Sequence, residues 1–271
     1  MTTVPAHYPA PAHYRVARDS ALIAGRNLRV LRKNPGRMIY PLVQPLVLLV
    51  MFVSVFGNLA IAGHAGGSSG TYREFLIPGI IIENAALTAP TTGLALLRDA
   101  SSGLADRFRS LPMAHSAVLT GRTIADLVRN FFVVLVMLLV GLLVGFRPEA
   151  TVAGWAGAIG LLLLLSFSFS WIGATVALLM RSTEAVQSAG FIWLFPLTFA
   201  SSAFVQTNNM PGALKAFANH QPMTQVIDAV RCFLLGQPVG SHGWQALAWC
   251  VGILVVFIPL SVSLYRRVAS R

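Results

Sequence analysis

Six blocks of almost uninterrupted apolar residues leave this chain few folds to adopt. They run over 38–61, 75–97, 124–146, 152–180, 186–205 and 244–265. A helix of about 20 residues crosses the roughly 30 Å hydrocarbon layer of a bilayer, and each block reaches that length. Of the 271 residues 55% are hydrophobic and 11% are charged. A water-soluble domain has no place to hide so much apolar surface. The pattern predicts an all-α membrane protein with six transmembrane helices.

Orientation follows from charge. The chain carries 20 Lys and Arg against 9 Asp and Glu, a formal net charge of +11. In a soluble protein that excess would point to nucleic acid; in a membrane protein basic residues gather on cytoplasmic loops, so no nucleic-acid partner is implied. With the N-terminus inside, 16 basic residues fall on the cytoplasmic side and only Arg73, Arg147, Lys215 and Arg231 outside. This split predicts a multi-pass protein of a bacterial plasma membrane with both ends cytoplasmic. Residues 1–14 are rich in Pro, Ala and His and read as a disordered cytoplasmic tail, with one transmembrane domain over 15–271.

Three stretches outside the blocks are patterned. Wound as a helix, Arg15, Arg18, Asp19, Arg26, Arg29 and Lys33 share about a third of the circumference. Ile23, Leu28 and Leu31 lie opposite, and Asn34-Pro35-Gly36 stops the helix. A helix lying in the inner interface, basic face toward lipid phosphates, has this signature. Between the second and third blocks, Leu104, Phe108 and Leu111 repeat at i, i+4 and i+7 among Asp106, Arg107 and Arg109. That spacing predicts a short cytoplasmic amphipathic helix ended by Pro112; a plain loop is the alternative. In the long fifth-to-sixth link, Met223, Val226, Ile227, Val230 and Leu234 form an apolar stripe after Pro222, closed by Gly236. It is too short to span and is expected to dip into or rest on the outer leaflet, with Asp228 and Arg231 placed to pair on its polar side.

Chemistry-bearing constellations are scarce. The sequence has no phosphate-binding P-loop, no nucleophile elbow and no H-E-x-x-H pair, and Cys232 and Cys250 read as small apolar residues. Glu83, followed by Asn84 and Thr88, is an acid deep in a block and is expected to face the bundle, a cavity or a partner, or to be protonated; it either sets helix packing through a hydrogen bond or meets substrate. Ser166, Ser168 and Ser170 alternate with Phe167, Phe169 and Trp171; they either line a path or permit close helix packing. Asp126 and Arg129 read as an ion pair at the start of the third span.

Together these elements resemble the ABC-2-type permeases, specifically the daunorubicin-resistance-like membrane subunits of bacterial ABC exporters. Gly103, Arg107, Leu111-Pro112 and Gly121-Arg122 stand in the order of that family's cytoplasmic motif. Phe204-Val205, Met210-Pro211 and the run from Asn219 through Pro222, Asp228 and Arg231 to Gly236 look like its pre-terminal signature. Ala100-Ser101-Ser102 departs from the more charged sequence common in the family before the glycine. The resemblance implies a permease that pairs with a second permease subunit and is served by separate cytoplasmic ATPase subunits. Its amphipathic substrate, a drug, polyketide-like molecule or lipid, would be moved outward. ATP and Mg would then be bound by the ATPase partner and no cofactor by this chain. Arg98, Asp99, Gly103, Leu104, Asp106, Arg107, Phe108, Arg109, Leu111 and Pro112 would couple to the ATPase. Glu83, Asn84, Thr88, Ser166 and Ser170 are the candidates for the translocation path. The competing reading is a stand-alone carrier or channel that uses Glu83.

Overall fold

A computed structural model describes residues 25, 36–62, 69–101, 115–180, 182–207 and 210–269, and every regular element of more than one residue among them is a helix. These are α1 (Gly36–Ala62), α2 (Ser69–Ala86), α3 (Thr88–Ser101), α4 (His115–Leu143), α5 (Val152–Leu179), α6 (Thr183–Phe199), α7 (Gly212–His220), α8 (Pro222–Leu234) and α9 (Gly240–Ala269). Four apolar runs are long enough to cross a membrane: Tyr72–Arg98, Leu119–Leu143, Val152–Leu179 and Gly240–Tyr265, with a shorter one at Leu42–Val55. The basic helix expected over Arg15, Arg18, Arg26, Arg29 and Lys33 lies outside the described residues, as do 102–114 of the cytoplasmic segment.

α5 is the hub. Thr151 caps it, accepting a hydrogen bond from the Gly154 N–H at 3.2 Å. α5 packs against α3, α4, α8 and α9. A helix apolar on all sides belongs at the centre of a bundle, and Leu161, Leu162, Leu165, Phe169 and Trp171 are all buried. α9 is its opposite, with Trp244, Leu247, Val251, Val255 and Val256 exposed, as suits a lipid-facing surface. The serines of α5 tie helices together: Ser168 donates to the Cys250 carbonyl at 3.1 Å, and the Thr175 and Ser261 hydroxyls lie 2.6 Å apart.

Two blocks differ from the uniform spans predicted. The second divides at Leu87 into α2 and α3. Pro90 has no N–H to give the Ala86 carbonyl, so a continuous helix would lose that bond; in the first turn of α3 the missing N–H costs nothing. The fifth block is helical only through Phe199; α6 has 17 residues, about 25 Å. The Ser201 hydroxyl donates to the Thr198 carbonyl at 2.5 Å and accepts from the Ala203 N–H at 3.1 Å. Those bonds replace the helical ladder and turn 200–205 back over α2 and α8.

α3 meets α5 backbone to backbone. A methyl group on Gly173 would overlap the Ala89 carbonyl, one on Gly93 would stand 2.8 Å from the Gly173 oxygen, and one on Gly190 2.9 Å from Pro90 Cβ. Glycine is therefore required at Gly173 for the approach itself. Gly173→Ala should lower the thermal midpoint of the detergent-solubilised protein, in line with overpacking costs of about 1–3 kcal/mol. Gly160→Ala, with open space around it, should be neutral or slightly stabilising. Equal midpoints for Gly173→Ala and the unaltered chain would show that the helices do not touch there.

Candidate translocation site

The α2–α3 break places Asn84, Leu87, Thr88, Thr91 and Leu94 along one wall of a cavity of about 200 Å³. Gln44 and Pro45 of α1, Arg129, Asn130 and Val133 of α4, and Gln187 and Phe191 of α6 complete it. Gln44 and Pro45 lie in the first half of α1, Gln187 and Phe191 in α6 no later than its middle, Thr88 to Leu94 in the first half of α3, and Asn84 in the last turn of α2. Five helices, α1, α2, α3, α4 and α6, thus converge on one polar space.

Behind the cavity a polar ladder joins α3, α4 and α5. Asp126, only 3% exposed, accepts from the Thr92 hydroxyl at 2.8 Å. Arg122 approaches the same carboxylate at 3.4 Å and Arg129 at 3.6 Å. Arg129 also donates to Thr91 at 3.3 Å. Buried Asn130 donates to Ser166, whose hydroxyl donates in turn to the Leu162 carbonyl at 2.9 Å. Buried charges persist where each has a partner, and Asp126 serves two guanidinium groups. The Asp126–Arg129 pair therefore forms inside the bundle, with Asp126 buried and Arg129 largely so.

A second polar knot closes the other end. Arg231 of α8 is 8% exposed, and its guanidinium donates to the Phe75 carbonyl at 2.9 and 2.7 Å and to the Ser202 carbonyl at 2.7 Å. It pairs with Asp228 at 3.2 Å and lies 3.7 Å from the centre of the Phe75 ring. Asp228 accepts from the Ser202 hydroxyl at 2.8 Å, and Gln221 donates to the Leu197 and Ala200 carbonyls at 2.9 and 3.0 Å. Burial pulls the Arg231 pKa down to about 10 against the support of Asp228, so the group stays cationic at neutral pH. Both the apolar stripe of α8 and Arg231 are buried in protein, and the turned-back segment after α6 offers Arg231 its carbonyls.

Residues 20–235 match the ABC-2 type transporter family. The chain belongs to that family. It is 32% identical over 245 residues to the daunorubicin resistance ABC transporter permease protein DrrB1 of Streptomyces coeruleorubidus, covering 89% of this chain and 84% of the relative. It is likewise 32% identical over 232 residues to the probable doxorubicin resistance ABC transporter permease protein DrrC of Mycobacterium tuberculosis, covering 84% and 81%. The inner membrane transport permease YadH of Escherichia coli is 24% identical over 80% of the chain and 82% of its own length.

In this ABC-2 permease the sequence-named path residues separate. Asn84 and Thr88 line the cavity, and Ser166 reaches it only through Asn130. Ser170 donates to its own helix at the Phe167 carbonyl, 2.7 Å away. Glu83 is half-buried, lies outside the lining, and its carboxylate has no hydrogen bond or ion pair among the described residues. Of the coupling residues, Arg98 is exposed in the last turn of α3, which also carries Asp99; Gly103 through Pro112 lie outside the described residues. Gln44, Thr91, Arg129, Asn130 and Gln187 were missed, since single polar residues on four separate helices carry no local spacing signal. Among the described residues no cluster of His, Cys, Asp and Glu is placed to hold a metal, and both cysteines are free.

The ladder makes a graded prediction. Asp126→Leu removes the buried carboxylate that Arg122 and Arg129 share and should cost up to about 3–5 kcal/mol, the range for breaking a buried pair. Asp126→Asn keeps an acceptor for Thr92 and should cost less. Monodispersity and thermal midpoints of the two variants measure the order; identical midpoints would mean that Asp126 is solvated rather than shared.

Proposed function

We propose that this chain is the permease subunit of an ABC exporter, moving an amphipathic drug, polyketide-like molecule or lipid outward across a bacterial plasma membrane. Similarity to drug-resistance permeases over most of the chain supports the exporter class. The observation that carries the mechanism is the polar cavity walled by α3, the helix that runs directly into the cytoplasmic coupling segment. The subunit spans the membrane six times, with α1 and α6 completing the four long apolar runs, and both ends cytoplasmic. The cavity then opens in the inner half of the bundle, and the Arg231 knot seals the outer end. Residues 15–33 lie as a helix on the inner interface against lipid.

ATP and Mg bind the separate ATPase subunits, and a second permease copy or homologue completes the transporter. Leu104, Phe108 and Leu111 anchor the ATPase, with Asp106, Arg107 and Arg109 as the rim. ATPase closure displaces this segment, α3 moves with it, and the cavity wall at Thr88, Thr91 and Leu94 changes shape.

The reading is tested by coexpression with the neighbouring ATPase, pull-down, and ATP-dependent transport into inverted vesicles. Phe108→Ala should cost roughly 1–3 kcal/mol of association, as buried anchors do, while membrane insertion stays normal. A silent Phe108→Ala together with a silent Leu104→Ala would leave the segment a mere loop. Topology has its own check, in a chain carrying Cys232→Ser and Cys250→Ala. A cysteine in place of Ser241 should react with an impermeant thiol reagent from outside, and one in place of Ser102 should not. Labelling at Ser102 in intact cells would invert the proposed orientation.

A further inference from the structure

The cavity is lined by carboxamides and hydroxyls, yet among the described residues its one charged lining group is a cation. Gln44, Asn84, Asn130 and Gln187 supply amides, Thr88 and Thr91 supply hydroxyls, and Arg129 supplies the charge. Among the described residues no Asp or Glu is part of the wall.

Arg129 is loosely held by its own counter-charge. Asp126 stands 3.6 Å away, beyond hydrogen-bonding length, and accepts instead from Thr92 at 2.8 Å. One guanidinium N–H reaches Thr91 at 3.3 Å, and Arg129 makes no other hydrogen bond among the described residues. A guanidinium remains protonated at any physiological pH and presents five donors in a flat fork. The ligand group that matches such a fork is an oxyanion, which it binds through charge-assisted hydrogen bonds. A cationic head would meet like charge at Arg129 and no carboxylate in the lining.

Size fixes how much of a ligand enters. A cavity of about 200 Å³ is smaller than the roughly 300–1,000 Å³ of sites that enclose a drug-sized molecule. It takes a head group. Leu87, Leu94, Val133 and Phe191 in the same wall offer the apolar surface along which a hydrocarbon stem would leave.

We propose that this cavity selects amphiphiles bearing an oxyanion, a phosphate or carboxylate, which Arg129 binds while the surrounding carboxamides complete its shell. Calling that amphiphile the cargo rests on the exporter reading; the binding itself does not. A resident anionic lipid and an exported amphiphile share this chemistry.

The test uses the full-length permease in phosphatidylcholine nanodiscs and three photoreactive probes with one common alkyl chain: an alkyl phosphate, the matching alcohol and the matching primary amine. The phosphate should label peptides of α3 and α4 and half-saturate at about tenfold lower concentration than the alcohol, the scale of one charge-assisted hydrogen-bonded contact. The amine should label least. Arg129→Gln should bring the phosphate to the level of the alcohol, whereas Arg129→Lys should keep most of the preference. Equal labelling by all three probes in the unaltered chain overturns the proposal, and so does an undiminished preference in a folded Arg129→Gln. The probe ranking of the unaltered chain decides the matter even if Arg129→Gln does not fold. Replacing part of the phosphatidylcholine by phosphatidylglycerol separates the sources. Loss of phosphate labelling assigns the site to resident anionic lipid, and persistent labelling assigns it to the cargo. Either result supports oxyanion selection. Because no arm uses ATP, a permease that ranks the probes as expected but drives no ATP-dependent transport sinks the exporter reading alone.

Discussion

The contact of the Ala89 carbonyl with Gly173 sets the spacing of everything around it. Lipid tails are as apolar as leucine, so helices in a bilayer gain little from hiding hydrocarbon and associate through close packing. With Gly93 and Gly190 beside it, the contact holds α3 against α5 and α6 at backbone distance. Only with α3 held there do Thr92 and Thr91 reach Asp126 and Arg129 on α4. The cavity is what remains on the far side of that stripe. A bulkier residue at Gly173 would act first on packing and, through it, on every polar contact of α3.

The paired charges sit at two levels of the bundle, and the two are built differently. Around Arg231 two of the three guanidinium nitrogens meet main-chain carbonyls, of Phe75, Ser202 and Ala203, and the third meets Asp228, so the knot staples three chain segments largely through their backbone. Around Asp126 the partners are side chains on neighbouring helices, each of which can rotate or be exchanged for a ligand group. Between the levels the packing is apolar, through Ile77, Ile80, Ile81, Met137 and Leu165. Main-chain stapling makes one end rigid; side-chain pairing leaves the other adjustable. That difference fits a closed end and a working end.

Apolar block length made the helical membrane architecture legible, because hydrocarbon thickness imposes it on sequence directly. The turn signals were legible too: Pro222 opens α8, and Gly236, with φ of 65°, closes it. Interruptions inside blocks were not. Leu87 and Phe199 end helices for reasons that lie in a missing N–H three residues on and in serine hydroxyls bonding to the local backbone, neither of which alters hydropathy. Arg231 was legible as a partner of Asp228 but not as a buried group, since its carbonyl acceptors come from residues about 30 and 156 positions away. Asn84 and Thr88 were found because they share a segment with Glu83. Arg129 and Gln187 became site residues only when five helices were brought together.

The α2–α3 break then has a mechanical meaning. α2 is tied at its first turns to α8 through the Phe75 carbonyl, whereas α3 is seated on α5 and α6 by the glycine contacts. At Pro90 the helical ladder lacks the rung to the Ala86 carbonyl, and the Thr91 hydroxyl donates to the neighbouring Leu87 and Thr88 carbonyls at 3.2 and 2.9 Å. A rung missing between two firmly held segments is where angular change costs least. Over its 14 residues, about 20 Å, α3 carries cavity-lining side chains at one end and Arg98 at the other. A tilt applied near Arg98 therefore reaches the cavity wall through one rigid element. In the coupling proposed above no chain of intermediate side chains is needed, and the Arg231 knot stays in place.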